Sequence, residues 1–224
     1  MFNCSLVFSQ IKTDRPDQTE SAVVFSSGQI QIESGISIES SQSNINTLFK
    51  FGMTEGIEIR INSNYIINDE LSFMKKSSFS DFVVGAKFRI FDKTSNNTKV
   101  AFLSNLSIPT AIEVFSNNVY GVLSRLSVSH DLDNESQIGY NLGYNKFKKM
   151  DGQFIYTIVY GKSLDSFGIF FEIFGDDSKN RSNINFDSGI TYLLDNKKQL
   201  DLSIGKGINN DMFFIAGGIS IYID

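Results

Sequence analysis

Residues 29–39, QIQIESGISIE, alternate between apolar and polar side chains: Ile30, Ile32, Ile36 and Ile38 fall on one face, and Gln29, Gln31, Glu33, Gly35, Ser37 and Glu39 on the other. A period of two marks a β-strand with one apolar and one polar face. The pattern recurs. In 56–66, Ile57, Ile59, Ile61 and Tyr65 oppose Glu58, Arg60, Asn62 and Asn64, and in 81–91, Phe82, Val84, Ala86, Phe88 and Ile90 oppose Gly85, Lys87 and Arg89. Similar runs at 99–109, 118–131, 136–147, 153–163, 167–175, 183–194, 198–206 and 212–222, with a shorter one at 46–52, predict about twelve strands and no helix. Most are as long as the about 9–11 residues that a tilted strand needs to cross a membrane.

The connections alternate in length. MTEG (53–56), DKTSNN (92–97), LDNE (132–135), LDS (164–166) and DNKK (195–198) are short, whereas 67–80, 110–117 and 175–182 are longer. Short turns on one rim and longer loops on the other suit an all-β, transmembrane, antiparallel up-and-down barrel over 29–224, with its short turns and both termini in the periplasm of a bacterial outer membrane.

Two orientations fit the alternation. In a soluble barrel the apolar face would fill the interior, but about eight strands already give an interior that side chains just fill. Twelve strands enclose more space than this Ile, Val and Phe face can pack, so the apolar face is expected outside and the polar face around the lumen. Aromatic rings collect at membrane interfaces. Phe51, Phe88, Phe167 and Tyr192 are expected at the short-turn rim, and Tyr65, Phe82, Tyr120, Tyr144, Phe154, Phe171, Phe186 and Phe213 at the other; Trp is absent.

Composition removes other classes. The net charge of −5 argues against nucleic-acid binding, which needs clustered Lys and Arg. One cysteine, Cys4, and one histidine, His130, exclude a disulfide framework and a His- or Cys-based metal site, so no metal or cofactor is expected. No run of about 18 apolar residues forms a membrane helix. Residues 1–10 (MFNCSLVFSQ) read as the remnant of an export signal, with Cys4 lost on processing; a frayed terminus and a lipid anchor on Cys4 are the alternatives.

With the polar face inward, the lumen receives Glu33, Glu58, Arg60, Lys87, Arg89, Arg125, Glu172, Asp187 and Asp201 as candidate pathway residues, with Lys50 and Lys99 beside them. Glu58 is expected near Lys87 and Arg89, in a ladder that either braces the wall or forms a charge-selective constriction. Residues 11–28 form an N-terminal periplasmic or plug segment: Asp14, Arg15, Asp17 and Glu20 carry the charge to pair with the wall, and a solvated tail is the alternative. No catalytic residue is assigned. A barrel phospholipase would need a serine in reach of His130, and the neighbouring Ser129 points the other way.

One stretch is more distinctive. Thr13-Asp14-Arg15-Pro16-Asp17-Gln18-Thr19-Glu20-Ser21, followed by Gly28-Gln29-Ile30-Gln31-Ile32-Glu33, resembles the outer-membrane "transporter" family named for the meta-pathway of phenol degradation, in its Bacteroidetes-type form. Gly139-Tyr140-Asn141-Leu142-Gly143, the stretch at 187–194 and Gln199-Leu200-Asp201-Leu202-Ser203 are weaker matches. The resemblance implies passive passage of small solutes, hydrophobic or aromatic ones among them, and as partners outer-membrane lipids, the solute and the barrel insertion machinery. The alternative is a closed structural or surface-interaction barrel that acts through its outer loops. Many such barrels end on an aromatic residue, whereas here Tyr222 is followed by Ile223 and Asp224.

Overall fold

The computed structural model describes residues 11–15, 17–68, 70–71, 76–93 and 97–223, with only the backbone of Lys93. The expectations for residues 1–10 lie outside them. The strands are β1 (Ile30–Glu39), β2 (Gln42–Thr54), β3 (Ile57–Asn68), β4 (Ser77–Phe79), β5 (Phe82–Lys93), β6 (Thr98–Ile108), β7 (Gly121–Asp131), β8 (Ser136–Phe147), β9 (Gln153–Leu164), β10 (Phe167–Ser178), β11 (Arg181–Asp195), β12 (Lys198–Gly207) and β13 (Phe213–Ile223). Neighbours pair antiparallel in chain order, and β1 closes the ring on β13 from Ile30↔Ile223 to Glu39↔Phe214. The short β4 pairs with β3 alone and is an outlying piece of the same stave as β5, so the closed barrel has twelve staves.

The alternation is inside-out relative to a soluble protein. Leu202 is 52% exposed, while its strand neighbours Asp201 and Ser203 are 7% and 3% exposed. Ile190, Phe171, Ile215 and Leu126 are likewise exposed, and Glu33, Lys50, Lys87 and Asp187 are buried. An apolar outer belt with every backbone group paired in a closed ladder is one of the two ways a chain can cross lipid. The barrel therefore spans a membrane. The rings expected at the rims are outward, as with Phe167 and Tyr192, whose centroids are 4.7 Å apart, and Tyr65, whose hydroxyl donates to Ser77 Oγ at 2.9 Å.

Several boundaries differ from the sequence pattern. The weak run at 46–52 is the full-length β2, Gln42–Thr54. Its periodicity is blurred because Leu48 faces inward and is buried, while Thr47 faces outward and shares a hydroxyl contact of 2.9 Å with Ser34. The expected long loop at 175–182 is instead a continued hairpin with a tight turn at 179–180. There Asp176 opposes Asn183, whose Nδ2 donates to both Asp176 carboxylate oxygens at 3.0 and 2.8 Å, so polar side chains extend the ladder. The loop expected at 67–80 is shortened at both ends by β3 and β4. Residues 109–120 precede β7 and contain a 3-10 turn, Glu113–Phe115, where no helical turn was expected. Asp81 organises this loop by accepting N–H bonds from Thr110 and Ala111 at 3.1 Å and Asn117 at 2.9 Å. The connection at 40–41 is as tight as the turns of the opposite rim, so the difference in length between the rims is smaller than the sequence suggests.

Candidate functional site: the lumen and the segment that crosses it

Residues 13–15 and 17–21 lie inside the barrel, and their polar groups meet the wall one after another. The Asp14 backbone N–H donates to both Glu33 carboxylate oxygens at 3.1 Å. Its carboxylate lies 2.5 Å from Lys50 Nζ, 2.8 Å from Arg60 Nη2 and 3.5 Å from Lys87 Nζ, and it accepts the Ser21 N–H at 2.7 Å. Lys50 also pairs with Glu33. Glu20 reaches Arg60 at 2.9 Å and Lys87 at 3.8 Å. The Asn141 side chain accepts the Glu20 N–H at 2.7 Å and donates to its carbonyl at 3.0 Å, as a neighbouring strand would.

On the opposite wall, Glu172 accepts the Gln18 N–H at 2.6 Å and the Thr19 hydroxyl at 2.5 Å, and Thr19 Oγ1 lies 2.6 Å from Thr157 Oγ1. Arg15 donates to Asp201 at 3.1 and 3.4 Å. Its guanidinium lies on two wall glycines: a Cβ on Gly35 or Gly218 would come within 2.3 or 2.6 Å of its nitrogens. Beyond Ser21 the segment leaves along β2, β3 and β5. Lys87 donates to the Ser21 carbonyl at 2.8 Å, Arg89 to the Val24 carbonyl at 3.0 Å, and the Phe25 N–H to Glu58 at 3.1 Å. Gly28, at φ 86°, turns the chain so that its N–H donates to the Gly52 carbonyl at 3.0 Å before β1 begins.

These contacts explain how the wall tolerates its charges. Removing an ion from water costs several kcal/mol unless partners and hydrogen bonds compensate. Lys50, Arg60 and Lys87 are at most 3% exposed, and Asp14, Glu20, Glu33 and Glu58 surround them. Two of those four acids come from the segment, so the wall and the segment neutralise each other.

Seven of the nine residues expected to line a pathway bond to this segment: Glu33, Glu58, Arg60, Lys87, Arg89, Glu172 and Asp201. Asp187 sits opposite Glu172 in the ladder. Arg125 has neither hydrogen bond nor ion pair among the described residues. Of the four expected plug charges, Asp14, Arg15 and Glu20 pair with the wall, and Asp17 lies within electrostatic reach of Glu172. The expected ladder is partly different. Glu58 does oppose Lys87, but its carboxylate takes Arg60 at 3.4 Å and the Phe25 N–H instead, because the Lys87 ammonium is drawn inward to Asp14 and Ser21. Asp14, Arg15 and residues 18–21 meet the wall rather than solvent. Gln18, Thr19 and Asn141 stand in the stretches that carry the family resemblance, but their neutral side chains, like that of Thr157 and the glycines beneath Arg15, carry no charge signal that would assign them a place in the lumen. The inner face is also not purely polar: Leu48, Leu103, Phe170 and Phe214 are buried there.

A cavity of about 120 Å³ bordered by Asp14, Glu20, Arg60, Asn62 and Asn105 lies against the segment. A second, of about 510 Å³, is lined by Lys12, Asp17, Lys99, Asp131 and Gln199 toward the short-turn rim. His130 faces outward with its ring nitrogens engaged by Thr98 Oγ1 at 2.9 Å and Tyr140 OH at 3.2 Å, so no Ser–His pair is formed there. Among the described residues, no group of three or more His, Cys, Asp or Glu is arranged to hold a metal ion.

The profile of the family described as "Putative MetA-pathway of phenol degradation" matches residues 13–221, from the first threonine of the lumen segment almost to the end of β13. The chain belongs to this family. No curated protein sequence matches it. Among solved structures, an outer-membrane channel from Pseudomonas putida F1 superposes with a TM-score of 0.66 at 9% identity, covering 90% of this chain and 97% of that one. The KdgM porin (TM-score 0.62, 10% identity, 85% and 98% covered) and the NanC porin (0.62, 12%, 86% and 98%) share the fold. Family membership and a closed barrel with an apolar belt place the protein in the bacterial outer membrane.

Proposed function

We propose that the protein is an outer-membrane channel through which small solutes pass passively, and that residues 11–28 are a displaceable plug. The observation that carries this reading is the use of the lumen. The wall charges are spent on one polar segment that is held by side chains rather than by a strand ladder, between cavities of about 120 and 510 Å³. A permanently closed barrel could fill its interior with wall side chains, as small barrels do. A plug tied by discrete ion pairs has a defined set of bonds to break, and those bonds lie where a solute would pass. The likeness to channels and porins and the family's name support the same reading, including a solute that is hydrophobic or aromatic. With the short turns in the periplasm, the plug is entered from that side.

Recording in planar bilayers tests this. The intact protein should be mostly closed with brief openings, and a variant lacking residues 12–25 should conduct steadily. If that variant folds and stays ion-tight, the closed-barrel reading is correct, and the rim around β4 and residues 109–120 becomes the place to look for activity.

A further inference from the structure

Arg125 differs from the paired lumen cations Lys50, Arg60, Lys87 and Arg89. It lies midway along β7, on the same face as the buried Ser127 and Ser129, and rests on Gly143 of β8, where a Cβ would come within 2.9 Å of its Nη1. That Nη1 is buried without a hydrogen bond, and the guanidinium has no ion pair among the described residues. The acid whose field it feels, Glu20, is already held by Arg60 at 2.9 Å. Arg125 itself is part-buried, and a guanidinium nitrogen shut away from water without a partner is disfavoured. It is not alone. Ser127 Oγ and the side-chain oxygens of Asn105 and Asn145 are also buried without a partner.

The strand register gathers these groups on one wall. Arg125 lies between Leu103 of β6 and Gly143 of β8, and Leu123, the next inward residue, lies between Asn105 and Asn145. Asn105 also borders the cavity of about 120 Å³. The described residues of the lumen segment form no hydrogen bond or ion pair with any of these four, so this stretch of wall keeps a planar cation, a hydroxyl and two amide oxygens for a solute. A guanidinium fork matches a carboxylate in two parallel bonds. With one cation and Glu20 close by, a single negative charge is favoured over a dianion. Asn145 Nδ2 donates to Gln153 Oε1 at 3.5 Å, so the unpartnered amide ends are the Asn105 and Asn145 oxygens, which can accept from a hydroxyl on the same molecule, and Leu103 and Leu123 suit its carbon skeleton.

We propose that the β6–β7–β8 wall is a binding site for a small hydroxycarboxylate solute, its carboxylate held by Arg125 and Ser127 and its hydroxyl by Asn105 or Asn145. The site deepens the channel reading and rests on it for a route to the lumen.

The test is saturation-transfer NMR on the full chain in detergent micelles, with L-lactate as probe, lactamide as its uncharged counterpart and inorganic phosphate as a competing anion. Lactate should receive saturation from the intact protein, and lactamide little. Arg125→Gln should weaken the lactate signal by about tenfold or more, as loss of a charge-assisted bond does, with Ser127→Ala in between. The same Arg125→Gln barrel, checked by heat-dependent gel migration, should unfold at or above the temperature of the intact protein, because no pair is broken. A residue that only braced the wall would show the reverse: a lower unfolding temperature and unchanged lactate binding. If Arg125→Gln fails to fold, Arg125→Lys, which keeps the charge and loses the fork, should weaken lactate and leave phosphate competition unchanged. Equal lactate signals with and without Arg125, equal signals from lactamide, or displacement by phosphate at equal concentration would each overturn the proposal. Binding is read without ion flow, so a silent bilayer with an intact lactate signal removes the channel reading and leaves the site. A conducting protein without an Arg125-dependent signal removes the site alone.

Discussion

Asp14 is where the hold on the lumen segment is concentrated, and Asp14→Asn removes its charge while keeping its shape. The carboxylate is surrounded by Lys50 at 2.5 Å, Arg60 at 2.8 Å and Lys87 at 3.5 Å, and its side chain is 5% exposed. Removing one partner of a buried pair costs about 3–5 kcal/mol. The lower end applies here. The cluster holds the acids Asp14, Glu20, Glu33 and Glu58 against Lys50, Arg60 and Lys87, four charges against three, and the substitution leaves three against three. At 1.4 kcal/mol per decade, a loss of about 3 kcal/mol raises the undocked population about a hundredfold. The assay is the fraction of time spent open in single-channel records, with Asp177→Asn at the exposed rim as a control that should change nothing. Because the cluster is buried, added salt should do little to mimic the substitution. An Asp14→Asn barrel that folds normally and opens no more often than the intact protein would refute the idea that these ion pairs hold the channel shut.

Arg15→Ala should weaken docking on the β12–β13 side by about 1.5–3 kcal/mol, the range for hydrogen bonds to charged groups, read as a smaller rise in open time than Asp14→Asn gives. Gly52→Ala should lower barrel stability by about 1–3 kcal/mol in denaturant titrations, because its Cβ would lie 1.8 Å from the Ser26 carbonyl oxygen where the segment turns into the wall. Leu202→Arg, on the outward face near the middle of β12, should cost about 2–4 kcal/mol in lipid vesicles; a neutral effect would mean that this face does not meet hydrocarbon. The turn at 132–135 should loosen in acid. Asp133 accepts N–H bonds from Glu135 at 2.8 Å and Ser136 at 2.6 Å, which hold its carboxyl below the usual aspartate range, so its contribution is present above the unfolded value of about 3.9 and fades as the pH falls through the depressed one. Amide exchange of that turn against pH, compared with Asp133→Ala, reads this directly.

The barrel was legible because most of its outward face is apolar: Ile57, Ile59 and Ile61, or Leu200, Leu202 and Ile204, alternate without interruption, with small hydroxyl residues such as Ser34 and Thr47 between them elsewhere. The inner face was less regular because it answers to the segment as well as to water. Leu48 faces inward and Thr47 outward, against the period of the other strands, and β2 looked weak for that reason. The hairpin at 176–183 was hidden for a different cause: beyond the membrane, Asp176 and Asn183 extend the ladder with side-chain bonds that leave no hydrophobic period. In the lumen, charge made Asp14, Arg15, Glu20 and their wall partners visible. The pairing of Thr19 with Thr157 and Glu172, and the seat of Arg15 on Gly35 and Gly218, depend on where the chain crosses the barrel, which sequence spacing does not encode.

That crossing offers the most direct test of the account. Thr19 and Thr157 bring their hydroxyl oxygens to 2.6 Å and are 5% and 6% exposed, so Thr19→Cys with Thr157→Cys, in a Cys4→Ser background, should form a disulfide between segment and wall. Bilayer current is then measured before and after a reducing agent is added. A plug predicts an oxidised barrel that stays closed and regains its openings once reduced; equal current in the two states would contradict it.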